Sequence, residues 1–297
     1  MTASHSHSAA DASAFSLKLV LVLTASYMLI EVVAGVITGS LALIADAGHM
    51  LTDVAGVSMS LLAIWFGRRP ATPLRTYGYY RLEILAALAN GLLLLGVSGY
   101  ILFEAYRRFS DPPEILGAPM LAVASVGLLI NLTSAYLLFE GQKSSLNMKG
   151  AFLEVVSDLV GSSAVIVAGA VILLTGFELV DPIASVFIGL FILPRTWHLM
   201  GSALHVLLEG TPKRLNVNEV RQHILTTDGV EGVHDLHIWT LTSGLDAVSA
   251  HVVIGADANA ERVLDELCAC LDAHFDIEHS TFQLEGRDRS QLEPLGH

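Results

Sequence analysis

Six apolar runs, each close to the length that crosses a bilayer, constrain the fold of this 297-residue chain more than any other feature. An α-helix needs about 20 predominantly apolar residues to span the hydrocarbon core of a membrane. Only 15% of the residues are charged, whereas average soluble domains carry about 25% charged residues. The sequence therefore predicts an integral membrane protein with six transmembrane helices. The runs cover approximately residues 16–38, 41–66, 81–106, 118–140, 148–174 and 181–204.

The composition changes after Gly210-Thr211-Pro212, where the apolar runs end and acidic residues become more frequent. Apolar patterns beyond this point predict an α-β-β-α-β order, which is typical of a small open-faced α+β sandwich. The net charge of −13 argues against nucleic acid as a partner. The predicted elements cover residues 216–227 (helix), 232–241 and 246–254 (strands), 258–275 (helix) and 277–285 (strand).

These patterns divide the chain into four parts. We expect flexible polar tails at residues 1–15 and 287–297, a six-helix transmembrane domain at 16–208, and an α+β domain at 212–286. The two cysteines, Cys268 and Cys270, form no Cys-x-x-Cys motif. They therefore fit a reduced, cytosolic α+β domain.

Lysines and arginines near the ends of the apolar runs predict which side of the membrane each connection faces. Such residues are enriched in cytoplasmic connections. If both termini are cytosolic, seven of these residues face the cytosol and two face outside. This asymmetry predicts a multi-pass membrane protein with its N- and C-termini in the cytosol. The seven are Lys18, Arg68, Arg69, Arg75, Arg81, Lys143 and Lys149, and the two are Arg107 and Arg108.

Two polar residues at helical spacing interrupt the second apolar run. His49 and Asp53 stand at i and i+4, which places them on one face of a helix, about 6 Å apart along its axis. A charged side chain at the centre of a bilayer costs about 2.5–3.5 kcal/mol on insertion scales, so such residues usually face a bundle interior or a water-filled cavity. An imidazole and a carboxylate on one face can supply two ligands to a divalent cation.

The fifth apolar run repeats this spacing with Glu154 and Asp158. Two antiparallel helices packed on these faces would bring one nitrogen donor and three carboxylates together. Taken singly, a membrane-embedded His is as often a packing residue, and an Asp can pair with an Arg. We expect no membrane-embedded Arg or Lys beside the two pairs, so the pairs favour an ion site. This donor set suits zinc, cadmium or cobalt, whereas magnesium prefers octahedral oxygen ligands.

Other polar residues are candidates for the ion path or for the fold. Glu31 and Asp46 in the first two runs are candidate proton or ion way-stations, and equally candidates for helix-end or interhelical hydrogen bonds. In the α+β domain, His234 and His251 become cross-strand neighbours if a turn at 242–245 sets the register. These two histidines are candidates for a second metal site or for surface positions without a ligand.

Five motifs carry a resemblance to a known family: His49-Met50-Leu51-Thr52-Asp53, Ser145-Leu146-Asn147-Met148-Lys149-Gly150-Ala151, Leu153-Glu154-Val155-Val156-Ser157-Asp158, Leu193-Pro194-Arg195-Thr196-Trp197 and His234-Asp235-Leu236-His237-Ile238-Trp239. Through them, about residues 15–286 resemble the cation diffusion facilitators, which are six-helix divalent-metal exporters. The chain is most similar to the bacterial cobalt–zinc–cadmium resistance branch of that family.

The resemblance implies a homodimer in a bacterial-type inner membrane that exports divalent metal from the cytosol in exchange for protons. It implies a transport site on the second and fifth helices, which falls here on His49, Asp53, Glu154 and Asp158. Many zinc-transporting members have His at the position of Glu154, so the resemblance specifies the metal less closely here. Residues 67–80 contain no His, Asp or Glu, so we expect a further metal site that some members carry in this connection to be absent.

The resemblance also implies roles for the α+β domain. It implies a metallochaperone-like fold that binds metal at the dimer interface. The matching ligand positions are His234, His251 and Glu285, with His279 as a further candidate. A family charge interlock between the third helix and this domain maps to Arg81 and Glu209.

Other functions fit the sequence less well, although one alternative stays open. A metalloenzyme would need a motif such as His-Glu-x-x-His, which the sequence lacks, so we expect no enzyme activity. A metal sensor would not need two ligand pairs in the membrane. No Gly-x-x-x-x-Gly-Lys-Ser/Thr motif supplies ATP energy, and carboxylates must be ionised to bind metal, which favours exchange for protons. A facilitative metal carrier or channel without proton coupling is the alternative.

Overall fold

The computed structural model describes residues 4–67, 69–139 and 146–287, which form long helices followed by a small mixed α/β region. Six long helices occupy the six predicted apolar runs. The predicted tail beyond residue 287, and Arg68 and Lys143 of the basic-residue count, lie outside the described residues. The helices are α1 Ser4–Thr38, α2 Leu41–Gly67, α3 Arg81–Ser110, α4 Gly117–Phe139, α5 Leu146–Thr175 and α6 Val180–Leu207.

Five of these helices contain a stretch that is long and apolar enough to cross a membrane. The stretches are Lys18–Thr38 in α1, Phe152–Thr175 in α5, and the whole of α3, α4 and α6. Among the described residues α2 does not meet this criterion, so the sixth span stays a prediction. α1 begins at Ser4, inside the segment predicted as a flexible tail, and the tail over residues 1–15 stays a prediction.

The first compact unit lies within Met1–Met59 and Ala89–Leu199. Here α5 packs against α4, and α1 packs against both. Lipid tails are as apolar as the helix surfaces, so close packing rather than the hydrophobic effect holds such helices together. The core fits this requirement because many of its buried residues are small. The buried alanines of the core are Ala42, Ala45, Ala105, Ala124, Ala168 and Ala184.

A buried carboxylate fixes the start of α2. Gly39 turns the chain after α1 with a φ of 73°, a left-handed conformation that glycine adopts without steric cost. The carboxylate of Asp181, at the start of α6, accepts hydrogen bonds from Ser40 Oγ at 2.6 Å and from the backbone N–H of Leu41 at 2.8 Å. Arg108 Nη1 donates to the carbonyl oxygen of Gly39 at 2.5 Å. A negative charge at a helix N-terminus satisfies free N–H groups and complements the helix dipole.

The second compact unit lies within Ser60–Leu88 and Met200–His297. Its C-terminal part has the predicted order of elements: α7 Val217–Leu225, β1 Val230–Thr242, β2 Leu245–Ile254, α8 Ala260–Phe275 and β3 His279–Glu285. The sheet order is β1-β2-β3, with β1 antiparallel to β2 and β2 parallel to β3. A parallel pair needs a crossover connection, and α8 provides it.

An irregularity in β1 sets the direction of its histidines. His234 pairs with His251 of β2, as the predicted turn allows, and the next aligned pair is His237 with Ser249. Asp235 lies between them with a φ of 51°, which is uncommon for a residue other than glycine. A bulge of this kind re-aims the side chains on either side of it. It places His234 beside His251 and turns His237 toward Asp235.

Candidate metal centres

The predicted ligands of the membrane unit lie where α2 and α5 contact each other. Three pairs of polar side chains meet between the two helices, and residue numbers rise along α2 as they fall along α5. The helices are therefore antiparallel, as the sequence predicted. We call this line of contacts the polar seam. Its pairs are Asp46 with Ser162, His49 with Asp158, and Asp53 with Glu154.

Three of the four predicted transport residues form one cluster. Ligand atoms of His49, Asp53 and Asp158 all lie within 4.8 Å of one another. His49 Nδ1 is 3.5 Å from Asp53 Oδ2, and His49 Nε2 is 3.7 Å from Asp158 Oδ1. The side chains are exposed by only 8%, 22% and 5%, respectively. One imidazole can thus face two carboxylates at once inside the helix bundle.

The cluster contains polar atoms without hydrogen-bond partners. Among the described residues, His49 Nδ1, Asp53 Oδ2 and Asp158 Oδ1 are buried and make no hydrogen bond. An unpaired buried polar atom costs about 1–3 kcal/mol. Three such atoms that point toward one another fit a cation or protons as the missing partner. A nitrogen and two oxygens at this separation also match the ligand types of zinc and related ions.

Glu154, the fourth predicted transport residue, is engaged elsewhere. Arg195 Nη2 of α6 donates to Glu154 Oε1 at 2.6 Å. This contact corrects the expectation that no membrane-embedded Arg lies beside the ligand pairs. Glu154 still lies next to Asp53, so the ion pair borders the cluster. The Arg195 side chain is 52% exposed and the Glu154 side chain is 28% exposed.

Sequence reasoning assigned no contact to Arg195, although it lies in one of the motifs that carried the family resemblance. A single arginine within an apolar run does not reveal which neighbouring helix it faces. Pro194 lies directly before it, inside α6, and a proline within a helix removes one backbone hydrogen bond. Pro194 and Arg195 together were the signal in the sequence that could have indicated a polar contact of α6.

A second cluster lies in the α/β region. His234 Nε2 is 3.4 Å from Glu285 Oε2, and His251 Nδ1 is 3.1 Å from Glu285 Oε1. The imidazole rings of the two histidines are 5.1 Å apart. The Glu285 side chain is fully buried, and its Oε2 and His234 Nε2 make no hydrogen bond among the described residues. Two imidazoles and a carboxylate fit a zinc-type ion with one position left for another ligand.

The remaining histidines of this region lie apart from that cluster. His237 Nε2 contacts Asp235 Oδ1 at 3.1 Å. His279, the further candidate ligand, is exposed and its ring contacts Tyr77 at 5.7 Å between centroids. His274 Nδ1 lies 3.0 Å from the carbonyl oxygen of its own helical turn. The cluster that the structure assembles among the described residues is therefore His234, His251 and Glu285.

The predicted charge interlock residues contact each other. Arg81 Nη2 donates to Glu209 Oε1 at 2.8 Å, with both side chains largely exposed. Glu83, two residues further along α3, accepts hydrogen bonds from the hydroxyls of Thr242 and Ser243. This second contact was not predicted, because hydroxyl residues in a hairpin turn have no preferred long-range partner.

Known protein families match this chain from the first helix to the last strand. The family model described as the cation efflux transmembrane domain matches residues 17–208, and that of the cation efflux protein cytoplasmic domain matches residues 212–287. The cation efflux system protein CzcD of Alcaligenes sp. is 50% identical over 100% of this chain and 94% of its own length.

Two further relatives are 38% identical to the chain. The Bacillus subtilis protein named cadmium, cobalt and zinc/H(+)-K(+) antiporter matches 89% of this chain and 86% of its own length. The zinc transporter ZitB of Escherichia coli matches 96% of this chain and 93% of its own length. The chain is therefore a multi-pass membrane protein that belongs to the cation efflux family.

Proposed function

We propose that this protein exports Zn²⁺, and also Cd²⁺ and Co²⁺, from the cytosol in exchange for protons. The observation that carries the proposal is the cluster of His49, Asp53 and Asp158, whose unpaired ligand atoms face one another inside the helix bundle. The donor set is of the borderline type that suits these three ions. The printed names of the relatives point to the same metals, since they include cadmium, cobalt and zinc.

Glu154 is the fourth ligand in this proposal. It lies beside Asp53 but is bound to Arg195 through one carboxylate oxygen, so the guanidinium competes with the metal for this carboxylate. A dication at the cluster attracts the Glu154 carboxylate and repels Arg195. The ion pair would then open as metal enters and close as metal leaves.

Protons are the counter-ions because the ligands exchange them for metal. His49 must be neutral to bind metal, and the carboxylates must be ionised. In an empty site, adjacent carboxylates shielded from water are stabilised by bound protons. A dication entering the site expels these protons, and protons entering from outside expel the dication. Alternating access around one such site produces exchange.

The α/β region has a regulatory and assembly role in this proposal. His234, His251 and Glu285 belong to none of the six apolar runs, so a metal ion held by them is not on the path across the membrane. The protein works as a homodimer joined through this region, with both termini in the cytosol. Arg81 and Glu209 form the charge interlock at the third helix.

Transport by purified protein in sealed vesicles tests the proposal. An imposed pH gradient should drive zinc against its own gradient, and Asp53→Asn or Asp158→Asn should abolish this movement. Both variants should still insert, because each loses a charge that is costly in the membrane. Asp111→Asn, an exposed position after α3, is the matched control and should transport normally. Normal transport by either site variant would refute the site, and zinc movement indifferent to the pH gradient would favour a facilitative carrier.

A further inference from the structure

Two buried carboxyl groups lie at one end of the polar seam, outside the proposed ligand set. Glu31 of α1 is fully buried and Asp46 of α2 is 2% exposed. Their side chains interact with each other. Glu31 Oε2 is buried and has no hydrogen-bond partner among the described residues. Such a pair needs a physical explanation, because an isolated carboxylate is strongly destabilised when removed from water.

The groups around this pair are neutral hydrogen-bond donors. Tyr27 Oη lies 3.1 Å from both Glu31 Oε1 and the carbonyl oxygen of Val123, to either of which it can donate, and Ser162 Oγ donates to Asp46 Oδ2 at 3.3 Å. Asn131 of α4 donates in turn to Ser162 Oγ at 3.1 Å. Within the described residues, no ion pair joins Glu31 or Asp46 to a Lys, Arg or His.

Two adjacent carboxylates without a cation cannot both be ionised at low cost. An ionised carboxylate only accepts hydrogen bonds, whereas a protonated one also donates. With a proton on it, Glu31 Oε2 could donate a hydrogen bond to the adjacent carboxylate and would no longer lack a partner. We propose that Glu31 and Asp46 share one proton and form a proton site separate from the metal ligands, and that this proton leaves when metal binds. This inference rests on the proposed metal/proton exchange.

The position of the pair couples it to the metal cluster. Asp46, His49 and Asp53 stand at i, i+3 and i+7 on α2, so they share one helix face. Asp46 and His49 are separated by about 4.5 Å of helix rise. Asp158 is the other titratable group that acts on the pair, through the electrostatic interactions of its carboxylate with Glu31 and Asp46.

A dication at the cluster stabilises negative charge on the pair. The protonated pair then releases its proton to the solvent on the side to which the site is open. The net charge of the pair beside the metal becomes more negative by one unit. When metal leaves, the same charge attracts a proton back. The pair would thus add one proton to those that the ligands themselves exchange.

Close packing holds the pair in place. A Cβ atom at Gly161 of α5 would lie 2.5 Å from Asp46 Oδ1, and one at Gly127 of α4 would lie 2.2 Å from Tyr27 Oη. Both glycines therefore leave room for a polar group where any other residue would clash. The tight fit favours a proton over a hydrated cation as the occupant.

The test measures protons released on zinc binding by the purified full-length protein in weakly buffered detergent solution. The zinc affinity of the same samples is also measured over a range of pH. The slope of the logarithm of this affinity against pH reports the same number of released protons. Glu31→Gln, which cannot share a proton as a carboxyl pair does, should release up to one proton fewer per zinc and lower the slope equally. Glu114→Gln, an exposed glutamate between α3 and α4, is the matched control and should match the unmodified chain.

A second variant keeps both carboxyl groups and guards against misfolding of the first. Tyr27→Phe removes one hydrogen bond to ionised Glu31, so the extra proton should be released only at higher pH. Unchanged proton counts and slopes in both variants would overturn the inference while leaving metal/proton exchange intact. A zinc affinity that depends on K⁺ at constant pH and ionic strength, with an unchanged proton count, would assign the pair to a monovalent cation instead. No proton release from the unmodified chain would overturn both proposals.

Discussion

Replacing Arg195 with glutamine should tighten zinc binding at the membrane cluster. In the structure Glu154 is bound to Arg195 at 2.6 Å and lies next to Asp53. If Glu154 is the fourth ligand, zinc must compete with the guanidinium for its carboxylate. Arg195→Gln removes that competition and also removes a positive charge near the incoming dication.

The size of the effect follows from the exposure of the pair. Fully exposed ion pairs contribute about 0.2–1 kcal/mol, and breaking a buried pair costs about 3–5 kcal/mol. The Arg195 and Glu154 side chains are both partly buried between helices, so we take a value between these two ranges, about 1–2 kcal/mol, for the competition between Arg195 and zinc. This corresponds to a zinc Kd that is about 5–30-fold lower in Arg195→Gln.

Competition with a fluorescent zinc chelator, on full-length protein, measures this Kd. Arg195→Lys is the matched control, since it keeps the charge but loses the planar donor geometry, and it should fall between the unmodified chain and Arg195→Gln. In a Glu154→Gln background, Arg195→Gln should give a smaller gain, because that background has no carboxylate for Arg195 to withhold and only the loss of its positive charge remains. An unchanged or weaker zinc affinity in Arg195→Gln would refute the assignment of Glu154 as a ligand restrained by Arg195.

Three further outcomes are expected. Asp181→Asn should lower the stability of the membrane unit by about 2–3 kcal/mol, because hydrogen bonds to a charged acceptor contribute about 1.5–3 kcal/mol each; an unchanged melting temperature in detergent would contradict this. Asp276→Gly should stabilise the α/β region by about 0.5–1 kcal/mol in urea unfolding, because Asp276 ends α8 in the left-handed conformation that disfavours side chains. Replacing both His234 and His251 with Ala should reduce the zinc bound per chain in equilibrium dialysis while some transport remains, and unchanged binding would remove them as ligands.

The α/β region was the most predictable part of the fold. Its order of elements, and the pairing of His234 with His251, followed from alternating apolar residues and a short turn at 242–245. Such signals are local, since they depend on residues a few positions apart. The bulge at Asp235 was not predicted, because no glycine stands at this position to mark its positive φ.

The membrane unit was predicted less completely. Apolar runs give the length of a helix, but they do not show which face meets which neighbour. The i, i+4 spacings identified the faces of α2 and α5, so the meeting of His49 with Asp158 could be expected. The contacts of Arg195 with Glu154 and of Asp181 with the start of α2 join helices far apart in sequence. Nothing in the local pattern around either residue indicates its partner.

The order of groups along the polar seam suggests how a dication can be held between the helices without a large net charge. The Glu31–Asp46 pair at one end carries a proton in our proposal, and the Glu154–Arg195 pair at the other end is neutral as an ion pair. Each can present one negative charge toward the centre, the first by losing its proton and the second by separation from its arginine. The ionised Asp53 and Asp158 carboxylates balance the two charges of the metal, and the two end pairs add negative charge toward the centre only while the metal is present. Since an uncompensated charge in the membrane is costly, metal entry should be coupled to changes at both ends of the seam, even though only the central cluster binds the ion throughout.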